Sequence, residues 1–274
     1  MLLVCTWCPL WFKKNNRKER KGKSAKKFNR MENWLSRTEM LLGADGLKKL
    51  KAAKVLVVGL GGVGAYAAEM ICRSGVGSMT IVDGDKIHPS NRNRQLLALE
   101  STNGISKAEL MGSRMLDINP ALNLVSINEY IKDERMIGIL DAGYDYVVDA
   151  IDTLSPKIFL IYHSLQRKYP VVSSMGSGGK FDPLNIRIAD ISETTDCTLA
   201  RILRKRLHRL GVREGFTAVF SPETIDKKKI VPTTGEQNKA SVVGTISYMP
   251  AAFGIACASV VIRDLTGIER SNIK

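Results

Sequence analysis

At 274 residues with 44% hydrophobic content, the chain has material for one large α/β domain or two small ones, with ample core. Its formal net charge of +14 looks like a polyanion-binding signature until it is located. Residues 1–30 hold ten Lys/Arg against one acid, Glu19, so the body is only mildly basic, and five scattered cysteines exclude a disulfide framework and fit a reducing, cytoplasmic compartment.

Met1–Phe12 is apolar, but no basic segment precedes it and no small-residue cleavage site follows. It is also shorter than the roughly 20 residues a spanning helix needs. Residues 13–30 read as a disordered basic tail. In-frame Met31 directly precedes the part patterned like a folded domain, so residues 1–30 are expected to be an over-extended start or a dispensable tail. A basic arm that helps to hold RNA is the sharper alternative. Cys5 and Cys8 form a lone C-x-x-C with no second pair to complete a zinc site.

From there the pattern alternates. Glu32–Leu50 predicts one or two amphipathic helices, followed by a strand at Val55–Val58, a helix from Gly62 to about Ser74 and a strand at Met79–Asp83. Ser106–Asn119 predicts a helix stopped by Pro120, Leu124–Tyr130 a strand, Glu134–Leu140 a short helix and Tyr146–Asp149 a fourth strand. Pro156 sits near the first turn of a helix running to Lys168, where proline costs least, and Val171–Ser174 is a fifth strand. Such alternation predicts a Rossmann-like, doubly wound, mostly parallel sheet with helices on both faces.

After Ser174 the rhythm breaks. Gly176–Gly179 predicts a flexible loop at the carboxyl end of a strand, where open α/β sheets bind ligands. Arg187–Ile191 and Thr217–Phe220 predict later strands, an antiparallel extension of the same sheet, and Lys227–Ser241 a polar, mobile loop. Met249–Ile262 is apolar nearly all round. Fourteen residues is too short to span a bilayer and Arg263-Asp264 closes the run, so a buried helix is expected and membrane insertion is not. There are no internal repeats, and residues 31–274 read as a single domain.

Gly59-Leu60-Gly61-Gly62-Val63-Gly64 follows the first strand, and Asp83 ends the second. Glycines there let the backbone approach a phosphate chain at a helix N-terminus, and the carboxylate can accept hydrogen bonds from ribose hydroxyls. The loop alone fits a nicotinamide-dependent oxidoreductase equally well. What separates the readings is Ser90-Asn91-Arg92-Asn93-Arg94-Gln95 and then Lys107, because attack on the α-phosphate of ATP needs cations to offset transition-state charge. Asp85 lies beside Asp83. Asp149 and Asp152 end the fourth strand, where a carboxylate is well placed for Mg²⁺ among phosphate oxygens. Arg201, Arg204, Lys205, Arg206 and Arg209 fall in an acid-free run with Leu199, Ile202, Leu203, Leu207 and Leu210 on the opposite helical face. That is either a solvated surface or a stripe that tracks RNA phosphates.

The series Gly59–Gly64, Asp83-Gly-Asp85, Ser90–Gln95, Lys107 and Asp149-Ala-Ile-Asp152 resembles the ubiquitin-activating-enzyme-like superfamily, which includes ThiF and MoeB and adenylates carboxylates with Mg-ATP. The resemblance covers nearly all of residues 32–268. Within it, Met175–Pro183, Arg187–Ser192 and Leu199–Lys205 look most like the branch of tRNA threonylcarbamoyladenosine dehydratases. The resemblance implies that Asp83 binds ribose, that Asn91, Arg94 and Lys107 contact phosphates, and that Asp152 binds ATP-Mg²⁺. It also implies that Arg37, in Trp34-Leu-Ser-Arg-Thr38, reaches into a partner's site and so requires a homodimer. A sulfur-transfer partner stays open. The zinc cysteines of ThiF- and MoeB-like chains are missing, so no zinc is expected. Cys197 stands where that branch is expected to carry proline and is the best candidate should a nucleophile be needed. Two alternatives remain: adenylation of a small carrier protein's C-terminus, and the nicotinamide oxidoreductase.

Overall fold

The computed structural model describes residues 33–131, 133–225, 230–232 and 241–268. Residues 1–30, with Cys5, Cys8 and the basic tail, lie outside the described residues. The strands are β1 (Lys54–Val58), β2 (Ser78–Val82), β3 (Asn123–Ile127), β4 (Tyr146–Asp149), β5 (Val171–Ser174), β6 (Arg187–Asp190), β7 (Thr217–Phe220), β8 (Ile230–Pro232) and β9 (Ser241–Val243). The helices are α1 (Ser36–Ala52), α2 (Gly64–Arg73), α3 (Lys107–Ile118), α4 (Asp133–Leu140), α5 (Leu154–Gln166), α6 (Thr198–His208) and α7 (Tyr248–Thr266).

Seven strands form one sheet in the order β3-β2-β1-β4-β5-β7-β6. All pairs are parallel except β6 with β7, which is the expected antiparallel extension. The period of two decides which side chain goes where. Val55 and Val57 of β1 join the core under α1, α2, α3 and α7, whereas Leu56 and Val58 join the core under α4, α5 and α6. Every residue of β4 and β5 is buried, as central parallel strands covered on both faces require.

One option left open by the sequence is decided, and three readings change. The first helix breaks at Gly43, whose φ of 74° and ψ of 169° are not helical, so the two-helix option holds within one continuous span. β3 stops at Ile127, three residues short of Tyr130, because the chain leaves the sheet to pass over Gly84 and bring Tyr130 to Asp85. The segment expected as a polar loop over 227–241 begins and ends in a two-stranded antiparallel ribbon, β8 with β9; residues 226–229 and 233–240 lie outside the described residues.

The last difference concerns α7. At 19 residues it is long enough and apolar enough to cross a membrane, so shortness is not what argues against insertion. Packing is. Half of the helix is buried, and Gly254 lies so close to α2 that an added Cβ would come within 2.4 Å of the Val63 carbonyl oxygen.

Candidate active site

β1, β2 and β4 end side by side. The connections run outward in opposite directions from the β1–β4 boundary, which opens a crevice at their carboxyl ends. The glycine loop after β1 lies there, and its glycines do two different jobs. Gly59 adopts a φ of +91°, and a Cβ on it would meet the Ala150 carbonyl oxygen at 2.7 Å. A Cβ on Gly64 would fall 1.7 Å from the Gly59 oxygen, and one on Gly62 2.9 Å from Pro250 of α7. These three close the loop against its own neighbours. Gly61 alone faces space, with only Gln95 Nε2 within reach at 3.8 Å. The room for a phosphate is therefore at Gly61, beside the N-terminus of α2.

Asp83, directly after β2, faces this loop. Its Oδ2 accepts from the Leu60 amide at 2.6 Å and its Oδ1 from the Asp85 amide at 2.8 Å. Burial pushes the Asp83 carboxyl above its ordinary value, against the opposing pull of Lys107. Asp85 accepts from Lys107 Nζ at 2.6 Å and also from the Tyr130 hydroxyl. Lys107 is the first residue of α3, a helix capped by Ser106 Oγ, which accepts from the Glu109 amide at 3.3 Å. The cap fixes where the lysine enters, and its side chain is only 5% exposed.

The segment after β2 folds into a 3-10 turn, Pro89–Asn91, whose geometry fits its proline and its polar side chains. Asn91 is buried, and its Oδ1 accepts from the His88 amide at 3.1 Å. Arg94 reaches the surface, with Nη1 donating to Ser90 O at 2.9 Å and to Asn93 Oδ1 at 2.8 Å. Gln95 Oε1 is buried and has no hydrogen-bond partner among the described residues.

The two carboxylates ending β4 separate. Asp149 is fully buried and held by Ser173 Oγ at 2.6 Å and Lys157 Nζ at 2.8 Å, so it is not available to a metal. Asp152 is exposed in the loop that follows. No three His, Cys, Asp or Glu side chains converge as a metal cluster among the described residues. A magnesium ion here would depend on phosphate oxygens for most of its ligands, its usual arrangement, with Asp152 as the protein carboxylate that fits.

Gly176–Gly179, expected to be flexible, is braced instead. The Gly179 amide donates to Gly244 O at 2.8 Å, and Gly178 packs against Val243. Next to it Lys180, 2% exposed, donates to Ser221 O at 2.8 Å and Glu223 O at 2.7 Å. Glu223 in turn accepts from the amides of Phe181 at 3.1 Å and Asp182 at 3.2 Å. Lys157, Lys180, Glu223 and Tyr130 were invisible as site-forming residues in the sequence. Two of these carried a signal: Lys157 as a lone lysine on the apolar side of its helix, and Lys180 as a member of the Met175–Pro183 motif.

On α6, Arg201, Lys205, Arg206 and Arg209 are exposed. Arg204 turns inward, donating to Thr194 O at 2.6 Å and to Thr194 Oγ1, so it holds the helix to the preceding turn. The buried stripe is Ala200, Leu203 and Leu207, whereas Ile202 and Leu210 are exposed, a narrower apolar face than the leucines predict. Arg206 also lines a cavity of about 390 Å³ with Ile131, Met136, Leu154 and Phe159, which places the basic helix next to the ends of β3 and β4. Arg37 is exposed on the first turn of α1 and has no hydrogen bond or ion pair within the described residues.

The described cysteines are free and buried. Burial pushes the Cys257 thiol up to about 12 and that of Cys72 to about 11. Cys197 is buried at the cap of α6, which removes it as a nucleophile offered to a substrate.

The model of the ThiF family matches residues 35–274. A tRNA threonylcarbamoyladenosine dehydratase of Bacillus subtilis is 37% identical over 247 residues, spanning 87% of this chain and 97% of the relative. The enzyme of that name from Escherichia coli is 34% identical over 245 residues, 83% of this chain and 91% of the relative. The crystal structure of the E. coli dehydratase TcdA in complex with ATP superposes with a TM-score of 0.77 at 32% identity, covering 86% of this chain and 96% of that one.

Proposed function

The chain belongs to the ThiF family, and on that premise we propose that it is an ATP-dependent tRNA threonylcarbamoyladenosine dehydratase. The observation that carries this reading is the run of contacts beside the glycine loop, in which Asp83 accepts from the Leu60 and Asp85 amides and Asp85 from the buried Lys107, next to the open space at Gly61. In this reading Asp83 accepts from the ribose hydroxyls of ATP. The amides around Gly61 and the cations Arg94 and Lys107 take the phosphates, and Asn91 and Gln95 support them. Gln95 Oε1, buried and unpartnered, is a spare acceptor at this edge. Asp152 would hold Mg²⁺, which would supply charge neutralisation for the phosphates.

The threonyl carboxylate of the modified adenosine attacks the α-phosphorus. An O–P bond forms, the bond to the β-phosphate bridge breaks, and pyrophosphate leaves with charge offset by Arg94 and Lys107. The neighbouring carbamoyl group then attacks the activated acyl carbon, loses its proton and expels AMP. The oxygen removed from the substrate leaves on AMP. Because both reacting groups sit on one nucleoside, proximity replaces a side-chain nucleophile. Arg201, Lys205, Arg206 and Arg209 bind tRNA phosphates, and Arg206 connects that surface to the cavity beside the site.

The working unit is a homodimer in this reading. Met40 and Leu41 on α1 are 83% and 84% exposed, and Ile255 on α7 is 51% exposed, an apolar surface that a second copy would cover. Arg37, on that same first helix, is then delivered to the partner's phosphates. A tRNA substrate and buried free thiols fit the cytoplasm.

The test is incubation with ATP, Mg²⁺ and tRNA, followed by digestion and mass spectrometry of the nucleosides. Loss of one water from threonylcarbamoyladenosine, absent in Lys107→Ala, supports the reading. No mass change, with ATP–pyrophosphate exchange appearing only on addition of a small carrier protein, overturns it in favour of carrier adenylation. NAD binding in place of ATP binding overturns both.

A further inference from the structure

Lys157 is a lysine that the fold takes entirely out of water. It is fully buried on α5 and its ammonium has three oxygen partners: Asp149 Oδ2 at 2.8 Å, Ile151 O at 3.0 Å and Ser174 O at 2.8 Å. Asp149 is equally buried, and its second oxygen accepts from the Ile151 amide at 3.1 Å. Around the pair are the neutral thiol of Cys257 and the hydroxyl of Ser173. Removing two charges from water offsets most of their attraction, so a buried pair of this kind is weak evidence for stability. Its geometry says more. One ammonium grips the carbonyl next to Asp152 and, across the β4–β5 boundary, the carbonyl that starts the turn into Gly176–Gly179.

We infer that Lys157 is a positioning residue: it sets the distance between the loop after β4 that carries Asp152 and the Ser174–Gly179 loop after β5. Three donors on one nitrogen are well suited to this, because an ammonium can satisfy two diverging carbonyls and a carboxylate at once. The planar, larger guanidinium of arginine cannot occupy the same fully enclosed point. The two loops follow adjacent parallel strands and so share the carboxyl edge of the sheet that carries the nucleotide loop; in the adenylation reading a shift of either misaligns the reactants without unseating ATP.

The inference rests on the adenylation reading given above. Its test uses the full chain in two forms: Lys157→Arg, which keeps the charge, and Lys157→Met combined with Asp149→Asn, which removes both charges and leaves no orphan carboxylate. Folded fraction, ATP affinity and single-turnover adenylation with threonylcarbamoyladenosine-bearing tRNA are measured for each. The expected result is ATP affinity within about threefold of the parent, with the adenylation rate at saturating ATP and tRNA lowered about 100-fold or more, in the range that follows from misplaced reactants. Lys157→Arg gives no rescue. Adenylation within threefold of the parent in either folded variant overturns the inference, and so does a loss that merely tracks the unfolded fraction. A parent chain that does not adenylate this tRNA overturns the underlying reading instead.

Discussion

Lys107 Nζ lies 2.6 Å from Asp85 Oδ2, an ion pair in which the lysine is 5% exposed and the carboxylate 45% exposed. The asymmetry decides what each substitution does. Lys107→Ala leaves behind a carboxylate that water can reach, so the melting temperature changes little. Adenylation loses a preorganised cation and falls by about 10²–10³-fold. Thermal melts beside pyrophosphate-exchange rates check both halves.

The glycine loop predicts a contrast between two alanine substitutions. Gly64→Ala drives a Cβ into the Gly59 carbonyl, a backbone clash that side-chain rearrangement cannot relieve. It is expected to cost more than about 4 kcal/mol and to abolish folding. Gly61→Ala meets nothing closer than Gln95 Nε2 at 3.8 Å. That variant folds, and loses nucleotide affinity in equilibrium titrations because the methyl group takes up phosphate space.

Helix α6 separates arginine from arginine. Arg201→Ala, Lys205→Ala and Arg209→Ala are expected to melt like the parent, to weaken tRNA binding uniformly and to reduce the log–log salt slope by about 1 each. Arg204→Ala lowers the melting temperature instead, since it releases the Thr194 carbonyl. Binding isotherms across a salt series, with melts alongside, distinguish the two classes.

Glu69 on α2 pairs with Arg114 of α3 at 2.5 Å and with Arg73 at 2.8 Å. Burial pushes its carboxyl up, but the two arginines outweigh that and hold it below its ordinary 4.5. The folded value being lowered, the stabilisation is complete above pH 4.5 and is lost as pH falls through the folded value. Glu69→Gln should cost about 1–2 kcal/mol at neutral pH, the arginines being half-exposed. The difference between the two proteins should shrink in acid, as denaturant titrations at several pH values would read.

Isotopic labelling tests the chemistry itself. Heavy oxygen placed in the threonyl carboxylate is expected in AMP and not in pyrophosphate or water. Label released directly to water would mean that no acyl-adenylate forms.

Most of the architecture was legible because it rests on local periodicity. The unbroken apolar run Val55-Leu56-Val57-Val58 in β1 declares a strand covered on both faces, and Ser106 and Pro120 bracket α3. The site was legible where one residue type has few other reasons to occur at its place, as with the glycines before α2 and the acid ending β2. What stayed hidden depends on contacts far apart in sequence. Tyr130 reaches Asp85 across 45 positions, and Lys180 is satisfied by carbonyls at Ser221 and Glu223. Nothing near Tyr130 announces its contact, and the motif around Lys180 does not announce the carbonyls that satisfy it. By position alone Asp149 and Asp152 were equivalent and only the family resemblance chose Asp152; the burial of Lys157 against Asp149 gives that choice a physical reason.

The packing of α7 on the glycine loop has a consequence for synthesis. Gly62 abuts Pro250 and Gly254 abuts Val63, so an element that opens the domain is completed by a helix made nearly 190 residues later. Until the ribosome has released that helix, the apolar face of α2 has no cover and the nucleotide loop has no wall. The nascent chain therefore carries an exposed sticky surface until α7 has been made, and it becomes able to hold ATP only after that.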